Sequence, residues 1–286
     1  MVKAIDVHVH PADMAMGKAS GEYAESAIKY FGLDPTQLLS ELEQTAEEYR
    51  NLDMIAVLLA WDAEANTGLP RLSNDYIADA VKRFPEVFRG FGSVDPWKGK
   101  MAVEEAERAV EELGLIGMKF QQSAQAFYPN DQRFYPLWEK ISELGVPVLF
   151  HIGTTGFGAF APGGLGIKLG YCRPIPYVDD VAADFPDLKI ICAHPGWPWT
   201  DEMLAIALHK TNVFIDMSGW TPKRFPPSLI QHANRGLQDR CMFGTDYPVL
   251  RPQMWLEIFE QSEDFKEEVK PKILLENAIR ILGIEV

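Results

Sequence analysis

The sequence predicts an α/β fold, a single (β/α)8 or TIM barrel over residues 1–286. Three observations predict it. Short apolar, β-branched runs alternate with helical segments eight times, with no sign of an antiparallel hairpin. Histidine and aspartate recur where those runs stop, which in a barrel is the carboxyl-end face that carries the chemistry. No Gly-x-Gly-x-x-Gly turn follows the first run, which weighs against an open doubly wound sheet. A length of 286 residues suits one such barrel. No linker or low-complexity stretch divides the chain.

The first strand is read from Val2, Ile5, Val7 and Val9, with Asp6, His8 and His10 spaced two apart and Pro11 ending the ladder. That period puts the three polar residues on one strand face. Residues 11–32 show no clear period and read as a loop with some helix that could cover a site. Asp34-Pro35 opens a helix to Arg50 with Leu38, Leu39, Leu42, Ala46 and Tyr49 on one face. Met54–Leu59 is a buried strand, and Ser73 caps a helix to Phe84. Phe88–Val94 is the third strand, weakened by glycine, and Met101–Leu113 the helix after it. Ile116–Phe120 is the fourth strand and Phe134–Leu144 the next helix.

The second half keeps the rhythm. Val146–Phe150 delivers His151, and a Gly-rich loop from Gly153 to Arg173 leads to a helix ending near Phe185. Leu188–Ala193 delivers His194, and a helix runs from Thr200 to Lys210. Val213–Met217 is the seventh strand, followed by a Pro-rich bend and a helix from Pro227. Cys241–Phe243 is the eighth, delivering Asp246. Two helices close the chain, the last spanning Pro271–Leu282.

Net charge is −14 and the pI near 4.9, without a Lys/Arg cluster, so nucleic acid and anionic membrane are poor partners. No apolar run approaches a membrane span. A strand starting at Val2 leaves no room for a signal peptide. Cys172, Cys192 and Cys241 lack Cys-x-x-Cys spacing and read as reduced thiols of a cytoplasmic protein.

Four of the six histidines fall at strand ends: His8, His10, His151 and His194. A lone histidine there is adequately explained by a backbone hydrogen bond. A His-x-His pair joined by further strand-end ligands favours a metal, because imidazole is the commonest protein ligand for zinc-like ions. Three histidines and Asp246 could converge on one divalent ion with a position left open, the arrangement of a catalytic site. His209 and His232 lie in helices and need no such reading.

These motifs resemble the amidohydrolase superfamily, in the branch that includes aminocarboxymuconate semialdehyde decarboxylase and γ-resorcylate decarboxylase. The matching segments are Asp6-Val-His-Val-His10, Gly117-Met-Lys119, Phe150-His151-Ile-Gly153, Ala193-His194-Pro-Gly196, Gly244-Thr-Asp246-Tyr-Pro248 and Glu276-Asn277-Ala278-Ile-Arg280. They run in order over nearly the whole chain. The resemblance implies that His8, His10, His151 and Asp246 ligate one divalent metal. Zinc is the expected ion, with manganese or another divalent ion as the alternative. It further implies that His194 is the acid/base beside the metal, and that Asp246 handles the proton of activated water. Lys119 is either a buried ion-pair partner or, as in some relatives, a carboxylated bridge between two metals. One metal is the expectation.

Substrate contacts are assigned to Lys119, Arg173, Trp197 and Phe157, each weighed against an ordinary packing or surface role. The expected partner is a small molecule, with a homodimer implied by the resemblance. Hydrolysis of a small carboxylated lactone, ester or amide is placed first, because the metal and acid/base set is intact without a dedicated carboxylate clamp. Non-oxidative decarboxylation of an aromatic or muconate-type acid stands second. A catalytically silent binding barrel is the third reading.

Overall fold

The computed structural model describes residues 2–35 and 39–286. Eight strands form the barrel: β1 Ala4–Val9, β2 Met54–Leu59, β3 Phe88–Phe91, β4 Met118–Phe120, β5 Val148–His151, β6 Ile190–Ala193, β7 Val213–Asp216 and β8 Cys241–Met242. Neighbours pair in parallel as β1-β2-β3 and β4-β5-β6-β7-β8. Two seams close the ring. Gly92 accepts from Lys119 N–H at 2.7 Å and donates to Gly117 at 2.8 Å. Val7 donates to Phe243 at 3.1 Å, and Asp246 donates to His8 at 3.0 Å. The predicted barrel is therefore what the chain forms.

Alternate residues of the strands face inward. Ile5, Val7, Ile55, Val57, Leu59 and Phe91 cluster with Leu149, Ile191, Ala193, Phe214 and Met242. A set drawn from seven strands can meet only inside the barrel. The other parity, with Ala56, Leu58, Phe120, Phe150 and Cys192 among its members, packs outward. The helices α2 Leu42–Asn51, α3 Glu64–Thr67, α4 Asn74–Arg83, α5 Lys100–Glu111, α6 Gln122–Gln125 and α7 Tyr135–Glu143 follow in the first half, after α1 Met14–Phe31. The second half adds α8 Tyr177–Asp184, α9 Thr200–His209, α10 Pro227–Ala233, α11 Pro252–Glu260 and α12 Asn277–Leu282. Burial on α5 falls on Ala102, Ala106 and Ala109, the spacing of one helical face. Ala278, Ile281 and Leu282 of α12 join the inward cluster, so the C-terminal helix closes the amino-end mouth of the barrel.

Three expectations change. Residues 14–31 are helical where a mostly irregular loop was expected, with a kink at Gly21 (φ +49°). The helix buries only Ala19, Ser20 and Ser26, because it roofs a cavity instead of packing on the barrel wall, and so lacks a clean apolar period. The helix expected over Asp34–Arg50 is shorter: α2 begins at Leu42, and Leu39 is 58 % exposed. Leu38 lies outside the described residues. β3 stops at Phe91, three residues short of the reading. Gly92 beyond it has no room for a side chain, since a Cβ there would meet Met118 Sδ at 2.9 Å.

Candidate metal centre

The His-x-His strand is not a simple alternating strand. Its register against β2 shifts between Asp6 and Val9, a bulge that re-aims the side chains beyond it. Asp6 is thereby separated from the two histidines it was expected to accompany. Its carboxylate accepts from Tyr49 OH on α2 at 2.7 Å, Thr245 Oγ1 at 2.6 Å, Thr245 N–H at 2.9 Å and His8 N–H at 3.1 Å. Asp6 is a structural tie between β1, α2 and the β8 loop. Burial nevertheless pushes its pKa up to about 7 against those hydrogen bonds.

Two site residues sit on left-handed backbone. His194 follows the last residue of β6 at φ +72°, and Asp246 lies beyond β8 at φ +62°. For non-glycine residues this costs on the order of 1–3 kcal/mol each, and here it turns both side chains toward the barrel axis. Small residues make room for them. A Cβ at Gly219 would lie 2.9 Å from His194 Nδ1, and one at Gly244 would lie 2.4 Å from Asp216 Oδ1.

The hydrogen bonds decide which nitrogens are free. His8 Nδ1 donates to Asp216 Oδ2 at 2.6 Å, which leaves Nε2 as the lone-pair nitrogen. That Nε2 is buried with no hydrogen-bond partner, 3.3 Å from Asp246 Oδ1. His10 Nε2 lies 3.4 Å from the same oxygen. His194 Nδ1 faces the Ser218 carbonyl at 3.2 Å, and His151 Nε2 faces the Thr154 carbonyl at 2.9 Å. Carbonyls only accept, so both of these nitrogens carry hydrogen. The remaining two, His194 Nε2 and His151 Nδ1, face each other at 3.0 Å. Imidazoles anchored through one N–H, with the other nitrogen turned to a shared space beside a carboxylate, are the pattern of metal ligands. His8, His194 and Asp246 each present a ligand atom within 4.8 Å of the other two.

Electrostatics agree with a cation site. Burial lowers the pKa of His8 and His151 well below the usual range and takes His194 down to about 4, so all three imidazoles are neutral donors at pH 7. Burial would push the Asp246 carboxyl up. Its interactions with the adjoining His8, His10 and His194 outweigh it and hold Asp246 well below the carboxylate range. Asp216 is raised to about 6 by burial and remains a carboxylate at neutral pH. Neutral imidazoles and an ionised carboxylate, with no thiolate among them, suit a divalent ion of the zinc or manganese type.

A cavity of about 660 Å³ opens above these groups, lined by His8, His10, His151, His194 and Asp246 at its floor. Trp197 and Phe157 line it, and α1 roofs it through residues including Ala24, Ala27 and Ile28. Ser26 ties that roof to the β5 loop, accepting from Gly158 N–H at 2.7 Å. Arg173 does not fit its expected role. It is absent from the cavity lining and forms a bidentate pair with Glu202, at 2.6 Å for the closest contact, on the surface. Lys119 is 1 % exposed and lies beneath the floor, not on it. Its Nζ has no hydrogen-bond partner, and burial lowers its pKa to about 8.

Sequence reasoning missed Asp216 and Ser218. Asp216 ends β7 and so met the strand-end criterion applied to the histidines. Ser218 Oγ donates to Asp216 Oδ2 at 2.9 Å and sits 3.1 Å from His8 Nδ1 and 3.0 Å from His194 Nδ1. No sequence pattern marks it.

Residues 5–284 match the amidohydrolase family, and the chain belongs to it. It is 25 % identical to 2-amino-3-carboxymuconate-6-semialdehyde decarboxylase of Dictyostelium discoideum, over 88 % of this chain and 77 % of that one. Among solved structures, an uncharacterised TIM-barrel protein of Bordetella bronchiseptica superposes with a TM-score of 0.81 at 25 % identity, covering 99 % of both chains. A dihydroxybenzoic acid decarboxylase of Polaromonas, solved with manganese and the inhibitor 2-nitroresorcinol, superposes with a TM-score of 0.70 at 21 % identity, covering 99 % and 97 %. The Dictyostelium relative overturns the expectation of a lactone, ester or amide hydrolase, because its name states the removal of carbon dioxide. The motif residues are common to both reactions, so the strand-end pattern could not separate them.

Proposed function

We propose that the protein is a divalent-metal-dependent decarboxylase that removes carbon dioxide, without redox change, from a small aromatic or muconate-type acid. The observation that carries this reading is the neutral, buried His194 imidazole facing the carboxylate-bearing floor of a cavity whose roof is apolar. His8, His10, His151 and Asp246 would hold the ion, zinc or manganese, with Asp216 fixing the His8 tautomer. The bound ion supplies Lewis-acid stabilisation of charge on the substrate oxygens.

His194 Nε2, which carries no proton in the resting neutral ring, would take up from solvent the proton that the reaction consumes and pass it on. The bond between ring carbon and carboxylate breaks, its electron pair stays on the carbon, and the proton from His194 takes that pair as carbon dioxide leaves. The apolar roof favours this direction, since it stabilises neutral carbon dioxide over the carboxylate it came from. Three buried free thiols support a reducing, cytoplasmic setting. Among the described residues no helix is long and apolar enough to cross a membrane.

The test is carbon dioxide release from a panel of hydroxybenzoic and muconate-type acids by protein reconstituted with zinc or manganese. Release from at least one acid, lost on chelation and restored by the metal, is the expected result. Silence across the panel from fully metal-loaded protein would remove this reading.

A further inference from the structure

Arg224 is the one lysine or arginine among the described residues that line the cavity. Several arginines of this acidic chain are tied to carboxylates, Arg173 to Glu202 and Arg108 to Asp75 and Glu105 among them, and others such as Arg89 and Arg240 bond main-chain carbonyls. Arg224 has no carboxylate or hydrogen-bond partner for its guanidinium among the described residues. Its backbone is nonetheless firmly placed. Arg224 N–H donates to Thr221 at 2.8 Å, and the buried Pro222 and Phe225 flank it, with Phe225 packed on Trp255. The same short segment begins at Gly219, against His194 and Asp246, and also presents Trp220 and Thr221 to the cavity. A single rigid segment therefore runs from the reacting end of the cavity to a free guanidinium.

Arg224 is solvent-exposed and so can be hydrated, yet it stands on the wall of a mostly apolar cavity as the lining cation to which no carboxylate of the described residues is paired. The acidic lining residues do not supply one. Asp246 belongs to the metal cluster, and Asp13 caps α1 and bonds the Tyr76 hydroxyl. We propose that Arg224 reads a second carboxylate on the substrate, so that the protein selects diacids over the corresponding monoacids. One carboxylate goes to the floor, and the guanidinium takes the other through paired N–H donors. The inference rests on the decarboxylase reading for the fate of the first carboxylate only; recognition of the second is separate from turnover.

The experiment separates the two. Binding of salicylic acid and of a hydroxyisophthalic acid, which differ by one carboxylate, is measured by calorimetry on manganese-loaded protein, with carbon dioxide release followed in parallel. Wild type is expected to bind the diacid at least about tenfold more tightly, the scale of a charge-assisted pair. Arg224→Ala should bring the two affinities within about threefold, and Arg224→Lys should recover part of the preference, since the charge is kept and the fork lost. Circular dichroism checks that both variants are folded, and Arg224→Gln repeats the comparison with a longer neutral side chain. Equal affinities in wild type, or an undiminished preference in Arg224→Ala and Arg224→Gln, would overturn the proposal. A diacid preference lost in Arg224→Ala without carbon dioxide release leaves the inference standing and removes the decarboxylase reading. Carbon dioxide release without the preference does the reverse.

Discussion

His194 Nε2 faces His151 Nδ1 across 3.0 Å, while the outer nitrogen of each ring meets a main-chain carbonyl. Both outer nitrogens must donate, so two neutral rings bring two lone pairs face to face. That contact is repulsive unless a cation, a proton or a divalent ion, lies between or beside the pair. Burial lowers the proton affinity of both rings, which favours a metal as the cation.

Protein purified without chelator should accordingly hold about one divalent ion per chain, measured by plasma emission spectrometry. His8→Ala and His151→Ala should each lose most of it while circular dichroism stays that of the barrel, whose apolar interior does not depend on the ion. Two ions per chain, with extra density on the Lys119 Nζ, would replace the single-metal assignment by a bridged pair.

Ser218 touches both His8 and His194 through one hydroxyl. Ser218→Ala keeps the shape but removes the hydrogen bond to Asp216 that helps hold its carboxylate against His8. Metal affinity should fall by about 10- to 100-fold, the usual loss when an outer partner of a ligand is removed. The melting temperature of chelated protein should change little. Titration with a competing chelator reads the first quantity. An affinity equal to wild type would reduce Ser218 to packing.

The contribution of the two raised carboxyls to the pH dependence of stability has a definite sign. Asp6 has its pKa raised by burial to about 7 from 3.8, and Asp216 to about 6. A folded-state pKa above the unfolded one contributes stability that is complete below pH 3.8 and is lost as pH rises through the folded value. In chelated protein the Asp6 contribution should therefore be lost between about pH 4 and 7, at most about 1.4 kcal/mol per pH unit. It runs against the opposite slope of the neutral His8, His151 and His194, which add stability as pH rises to about 6.5. Asp6→Asn should remove the falling component, so that the difference in stability between wild type and variant shrinks from about pH 4 to 7. It should also destabilise the fold by about 1–3 kcal/mol, because an amide cannot accept all four hydrogen bonds that Asp6 accepts. Urea midpoints at the two pH values measure both effects. An unchanged slope in Asp6→Asn would show that the carboxylate is ionised throughout.

The barrel was legible because its strands are apolar runs whose ends carry histidine and aspartate, a signal that survives without contacts. His8, His10, His151, His194 and Asp246 were found that way, and all five line one cavity. What escaped depends on conformation. The bulge that parts Asp6 from His8 leaves no mark in the alternation of Ile5, Val7 and Val9. The left-handed turns at His194 and Asp246 look like any strand end in sequence. Helix α1 was hidden because a roof over a cavity needs no apolar stripe on a barrel. Arg173 and Arg224 could not be ranked from sequence, since nothing in it shows that Arg173 reaches Glu202 on the surface while Arg224 lines the cavity.

The role of His194 is the point on which the chemistry turns. By distance it groups with His8 and Asp246 as a ligand, yet its Nε2 also borders the cavity, where a proton donor is needed. His194→Asn keeps a side chain able to hydrogen-bond the Ser218 carbonyl and removes the ring nitrogen at the reacting face. If His8, His10, His151 and Asp246 suffice for the ion, the variant should retain its metal and fold and lose turnover by about 10²- to 10⁴-fold, the loss expected of a general acid. A tritiated-water assay adds a second readout. Wild type should incorporate label at the carbon that loses its carboxylate, and the variant should do so only at its residual rate. Metal loss in His194→Asn, matched by the same loss in His151→Ala, would make His194 a ligand and shift the proton to another donor.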